Sequence, residues 1–124
     1  MFDDGTPIYQ QIATRIKRDI LDGTIAEGEQ VMSTNQYAAF YRINPATAAK
    51  GFHQLVEEDV LHKRRGIGMY VTEGARERLL AQRRARFFVE VVEPMAAEAT
   101  LLGVPLADIF SHLEELETQK RRMR

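Results

Sequence analysis

Residues 33–52 read STNQYAAFYRINPATAAKGF, and two helix starts lie inside that one stretch. Ser33-Thr34-Asn35-Gln36 has the spacing of a capping box. In it the serine oxygen accepts from the Gln36 N–H while the glutamine reaches back to the serine N–H. That spacing predicts a short helix from Thr34 to about Tyr41, burying Tyr37, Ala38 and Tyr41. Arg42-Ile43 leaves a tight link, after which Asn44 caps a second helix with Pro45 at its first position. This second helix is predicted to run to about Asp59. Its later half carries an ordinary apolar face of Phe52, Leu55, Val56 and Val60, but its first turns hold almost nothing large.

Two helices joined by a turn of three or four residues form a helix-turn-helix. A helix entering the major groove reads bases from its N-terminal turns, and small residues there let the backbone approach closely. Asn44 and Thr47 can hydrogen-bond, Ala46 can touch a thymine methyl, and Lys50 can reach phosphate or guanine. The competing explanation is that small residues let helices cross closely. On that ground Ala48, Ala49 and Gly51 are assigned to packing on the preceding helix.

Downstream, "VLHKRRGIGMYVT" predicts two short strands, Leu61 to Arg64 and Met69 to Thr72, with Arg65-Gly66-Ile67-Gly68 as the loop of a hairpin. A basic hairpin directly after a helix-turn-helix is a wing. Lys63, Arg64 and Arg65 suit phosphate and minor-groove contact. They equally suit a charged loop that protects a sheet edge. Upstream, Thr6 is a capping residue with Pro7 behind it. Ile8, Ile12, Ile16 and Ile20 recur every four residues, predicting a helix over roughly 7–22 stopped by Gly23. "TIAEGEQV" is a connection that ends in a brief extended segment.

From Ala75 the pattern changes to a broad apolar band: Leu79, Leu80, Phe87, Phe88, Val91, Val92, Met95, Ala96, Ala99 and Leu102 on one long helix. Pro94 predicts a kink near Glu90 to Pro94. Leu102-Gly103 ends that helix. Val104-Pro105 starts a last one with Leu106, Ile109, Phe110, Leu113 and Leu116 facing inward, and its basic end is expected to fray. Two helices make a thin layer, and an apolar band on a soluble chain calls for a partner. Leu80, Phe87, Phe88, Val91, Val92 and Met95 are therefore the candidate surface of a twofold homodimer. The alternative is a tail folded back on its own head. The expected organisation is a winged helix-turn-helix over 1–74 and a helical dimerisation tail over 75–124: mainly α, with one small β-hairpin.

Composition narrows the function classes. The chain has 124 residues, 44% hydrophobic and 28% charged, and a net charge of −1. That is a globular profile, and bulk charge by itself argues weakly against a nucleic-acid coat. The basic runs Lys63-Arg64-Arg65, Arg83-Arg84-Arg86 and Lys120-Arg121-Arg122-Arg124 instead suit a protein that grips nucleic acid at one face. The last two serve equally as solvated helix faces. No apolar run approaches the ~20 residues of a membrane span. "MFDDGTP" lacks the basic and apolar regions of a signal peptide, so the expected location is cytoplasmic. There is no cysteine, and His53, His62 and His112 share no metal-ligand spacing. No cofactor, metal site or catalytic constellation is expected.

Residues 6–74 resemble the winged helix-turn-helix domain of the GntR family of bacterial transcription regulators. The resemblance is carried in order by "PIYQQIATRIKRDILDGTIAEGEQV", "STNQYAAFYRINPATAAKGFHQLVEEDVL" and "RRGIGMYV". "PIYQQI", "NPATAAKGF" and a tail of only about fifty residues look most like the short YtrA-type branch. The resemblance implies a sequence-specific, cytoplasmic regulator, a repressor acting as a homodimer on a pseudo-palindromic operator of double-stranded DNA. A small-molecule effector is a further partner it implies. It also implies that Ser33 and the residue two positions on hold a DNA phosphate. Family members carry an arginine at that second position, where this chain has Asn35. They carry proline where it has Met32, and in other branches an arginine where it has Ala49. It implies base reading by Asn44, Ala46 and Thr47, a basic contact at Lys50, and a wing contact at Gly66, which enters the minor groove with Arg65 before it. The reading that competes with DNA binding is a winged helix that serves as a protein–protein interaction module.

Overall fold

The structure, a computed structural model, describes residues 5–66 and 68–123. Ile67 of the expected wing loop and Arg124 of the basic end lie outside the described residues. The elements run α1 (Ile8–Leu21), β1 (Gln30–Val31), α2 (Thr34–Tyr41), α3 (Pro45–Glu57), β2 (Leu61–Arg64), β3 (Gly68–Val71) and α4 (Ala75–Phe87). A π-helical turn (Phe88–Val92), α5 (Glu93–Leu102) and α6 (Leu106–Arg122) complete them. The chain forms two compact units, one through Gln82 and one from Arg83, called head and tail below.

The head is built where apolar stripes converge. Ile12, Ile16 and Ile20 of α1 meet Tyr37 and Ala38 of α2 and Ala48, Phe52 and Leu55 of α3. Val60, Leu61 and Val71 add the hairpin, and Ala75 and Leu79 bring the first turns of α4 into the same core. Ile8, first in the fourfold spacing, is 43% exposed, so the stripe begins one turn later than its period suggests. Pro7 rather than Thr6 occupies the cap of α1, its carbonyl accepting from Gln10 and Gln11 N–H. At its other end α3 stops two residues short of the predicted Asp59, which takes a left-handed conformation (φ 59°).

The predicted two-strand hairpin is part of a three-stranded antiparallel sheet of order β1-β3-β2. The extended end of "TIAEGEQV" pairs with the hairpin, Gln30 opposite Tyr70 and Val31 opposite Met69. Side chains alternate between faces along a strand. Leu61, Met69 and Val71 accordingly share the core face, and His62, Arg64 and Tyr70 the other.

In the tail, the expected kink takes the form of a π-turn, in which the Glu93 N–H bonds the Phe88 carbonyl. The widened turn ends two residues before Pro94, whose ring in a regular helix presses on the carbonyl four residues back. Gly103, at φ 69°, closes α5 in the left-handed region, and the Val104 N–H returns to Ala99 O at 2.8 Å. Two expectations fail here. The basic end is helical through Arg122, its cations standing where the helix dipole favours positive charge. Leu106, Phe110 and Leu116 do not turn inward, each being exposed, Leu106 at 62%, whereas Ile109 is half-buried and Leu113, though exposed, borders α5.

Candidate nucleic-acid interface

Ser33 closes the predicted capping box: its Oγ accepts from Gln36 N at 3.1 Å, and Gln36 Oε1 accepts from Ser33 N at 2.9 Å. Gln36 thus satisfies one free N–H at this helix end, and the serine hydroxyl keeps its own proton for an external acceptor. Asn35 is exposed on the first turn, where helix dipole and unpaired N–H groups favour an anion.

Arg42, left-handed at φ 55°, ends α2 and turns the chain, and the Ile43 N–H bonds Ala38 O at 2.9 Å. Asn44 then caps α3, its Oδ1 accepting from Ala46 N at 2.8 Å. That bond occupies the amide oxygen and leaves the amide NH₂ to donate. Asn44, Ala46 and Lys50 are exposed and Thr47 half-buried, so the polar side chains of the first two turns share accessible surface. The small residues between them have another task. Ala48 is fully buried, and a Cβ on Gly51 would stand 2.8 Å from the Tyr9 carbonyl oxygen and 3.1 Å from Ile12 Cγ2. Gly51 therefore packs against α1, not against α2 as its place in the helix-turn-helix suggested. Ala49, also assigned to packing, is exposed.

Farther along, α3 is tied to α1 by charge: Lys17 Nζ donates to Glu58 Oε1 at 2.5 Å. Burial pushes the Glu58 pKa up, but hydrogen bonds from Lys17 and Gln54 and the Lys17 charge outweigh it and hold the carboxyl below its ordinary value.

In the wing, Arg65 and Gly66 form the described part of the exposed tip. Gly66 sits at φ 74° with open space where a Cβ would go, so backbone conformation, not crowding, calls for glycine. Arg64 behaves differently. Its guanidinium lies 4.3 Å from the Tyr70 ring centroid, and its Nε donates to His62 Nε2 at 3.4 Å. His62 Nδ1 lies 3.4 Å from Thr72 Oγ1, so accepting at Nε2 leaves the proton on Nδ1 facing the threonine. The two wing arginines are thus separated, Arg64 held along the outer face of the sheet and Arg65 at the tip.

Pairing of β1 links this wing to the capping box at Ser33. Because Val31 lies opposite Met69, the chain leaving β1 runs toward the Gly68 end of β3, the end next to the tip. Ser33 follows two residues later, roughly 7 Å of extended chain. The Gln30 side chain lies over Gly68 at the same edge. The sheet register therefore brings the chain entering α2 at Ser33 toward the Gly68 end of the hairpin, a juxtaposition that hydrophobic pattern alone does not reveal. Tyr70 and His62, which hold Arg64, carried no signal beyond their proximity in sequence to apolar stripes.

Residues 8–71 match the model of the family described as "Bacterial regulatory proteins, gntR family". The chain is 28% identical over 112 residues to the HTH-type transcriptional repressor YtrA of Bacillus subtilis (strain 168), covering 90% of this chain and 85% of that protein. A solved transcriptional regulator of the GntR family from Bacteroides thetaiotaomicron is 30% identical with a TM-score of 0.72, covering 91% of this chain and 98% of that one. A GntR family transcriptional regulator from Listeria monocytogenes is 28% identical with the same TM-score, covering 92% and 98%. The matched segment runs from α1 through β3 and so contains both capped helices and the wing. The chain belongs to the gntR family of bacterial regulatory proteins and is a DNA-binding transcriptional regulator, not an enzyme.

Proposed function

We propose that the protein is a homodimeric repressor that holds a pseudo-palindromic operator with two heads. The observation that carries the dimer is the uncovered apolar band of the tail. Phe87, Phe88, Val91 and Met95 are 48%, 64%, 52% and 41% exposed, with Leu80 and Val92 half-buried. Burying such a band against a second copy removes it from water, and a twofold axis sets like against like. The cleft between α5 and α6, about 360 Å³ and lined by Met95, Val104, Ile109 and Leu113 with Asp108 and His112, offers a seat for partner side chains. Repression is supported by the relative named a repressor.

On the DNA side, Ser33, Asn35, Arg64 and Arg65 supply phosphate contacts that set register, and Asn44, Ala46 and Thr47 read base edges. Gly66 lets the wing approach the minor groove. The test is a footprint on fragments selected from the source genome, with the mass of the protein measured by sedimentation. The expected result is a dimer protecting two half-sites about one helical turn apart. A monomer on a single half-site removes the dimer from the reading. Thr47→Ala is expected to relax preference at one operator position, by roughly 1–3 kcal/mol; uniform loss on every sequence shows that Thr47 does not read bases.

A further inference from the structure

Lys50 is the one cation on the DNA-facing turns of α3, and its ammonium does not extend freely into solvent. Lys50 Nζ lies 4.1 Å from the centroid of the Tyr9 ring, on a different helix. The backbone sets that meeting. Gly51, the next residue, brings α3 so close to α1 that a Cβ there would stand 2.8 Å from the Tyr9 carbonyl oxygen. Tyr9 is half-buried while Lys50 is exposed, so the ring is the fixed member of the pair.

We infer that Tyr9 is a positioning residue for Lys50, holding its ammonium as an uncancelled point charge for one DNA phosphate. The inference rests on Lys50 lying in the DNA interface. An aromatic face attracts a cation through its quadrupole and leaves the full charge in place. A carboxylate would neutralise it, as Glu58 does for Lys17 on the same α1. Among the described residues no carboxylate lies within ion-pair distance of Lys50. Lysine meets phosphate as a point charge and loses much rotamer freedom when it does so. Ordering the chain on a ring beforehand lowers that cost. The same restraint works against base reading, which needs free reach to a base edge.

The experiment uses the full chain and its selected operator, with affinity measured by fluorescence anisotropy across a salt series. Lys50→Met should reduce the salt slope by about one contact. Tyr9→Leu should weaken binding roughly two- to fivefold with the slope kept, Tyr9→Phe should match the parent, and Tyr9→Leu should add nothing once Lys50 is Met. In the free protein, the ring current should move the Lys50 ε-methylene protons upfield, and Tyr9→Leu should abolish that shift. Tyr9→Met is measured beside Tyr9→Leu so that a folding defect in one does not decide the outcome. The inference is overturned by an unchanged slope in Lys50→Met, by Tyr9→Leu still weakening binding without Lys50, or by Tyr9→Phe losing as much as Tyr9→Leu. An unshifted methylene in the parent also overturns it. A parent chain that binds no operator sinks the functional proposal and leaves the ring-current result standing. Intact operator binding without coupling sinks this inference alone.

Discussion

Head and tail handle the same kind of amphipathic helix in opposite ways. Among the described residues, every buried side chain lies between Ile12 and Leu79. Among the described residues from Arg83 onward none is buried, and Phe88, Leu101, Leu102, Leu106 and Phe110 are all more than half exposed. In the head, apolar stripes of α1, α2 and α3 face one another and the sheet, and α4 closes the set. Burying each large side chain there contributes about 1.5–3 kcal/mol. The tail helices carry apolar bands too, yet the tail by itself leaves most of their large side chains exposed. An amphipathic period therefore reports that a face will be covered without saying by what. The head's stability is a property of one chain, whereas the proposed dimer would tie the tail's to a second copy.

The sharpest way to break this comparison is to cut one aromatic from each region. Phe52→Ala removes a ring that is 1% exposed at the centre of the head and is expected to cost about 3–5 kcal/mol. That loss, read from denaturant unfolding, should not depend on protein concentration. Phe88→Asp should leave head unfolding unchanged, turn the proposed dimer into a monomer, and lower operator affinity on the order of a hundredfold or more as the two heads are uncoupled. If Phe88→Asp instead destabilises the head as Phe52→Ala does, the tail band is covered within the chain and the contrast collapses.

What was legible in the sequence follows the range of the interaction that sets it. Ser33 and Asn44 could be read as caps because each bonds a backbone N–H two or three residues away. Pro94 announced an irregular helix, but whether the chain bends or widens into a π-turn depends on accommodation of its ring, which composition does not encode. β1 has only two residues; its partner lies nearly forty positions on, so no local period marks it. With β1 goes the approach of the chain at Ser33 toward the Gly68 end of the hairpin. The candidate residues could be named from the sequence, but their arrangement only in part: Arg64 and Arg65 are adjacent in sequence, yet Tyr70 and His62 hold Arg64 along the sheet.

Gly51 sharpens the comparison from inside the head, because there a missing side chain does the packing. Its place in the helix-turn-helix suggests the crossing with α2, yet its neighbours are Tyr9 and Ile12 of α1. Gly51→Ala places a Cβ against a backbone oxygen that cannot rotate away, and overpacking of this kind costs about 1–3 kcal/mol. Against that stands the gain of up to about 1 kcal/mol that alanine brings to a helix interior. The crossing should win, giving net loss in thermal unfolding. A net gain would mean that α1 and α3 slide apart cheaply, and with them the alignment of Tyr9 and Lys50.

The smallest expected effect asks whether the head's core contains a polar group that contributes nothing to stability. Tyr37 is 6% exposed, and its hydroxyl has no hydrogen-bond partner among the described residues. Its ring is engaged, 5.4 Å from Phe52 edge-on and 4.5 Å from Tyr41. Removing an unsatisfied buried hydroxyl while keeping the ring should be neutral or mildly stabilising, within about 1 kcal/mol at pH 7. Burial pushes the Tyr37 pKa up to about 12 from its ordinary 10, helped by Tyr41 and opposed by Arg15. The fold thus favours the neutral phenol. That contribution is fully present below pH 10 and is lost as pH rises from 10 through 12. Subtracting the stability curve of Tyr37→Phe from that of the parent should therefore give a flat difference at neutral pH that turns against the parent above pH 10. A loss of 2 kcal/mol at pH 7 would show that the hydroxyl makes a bond the fold depends on. A difference that stays flat through pH 12 would show that the phenolate is tolerated, so that this part of the head admits water as readily as the tail does.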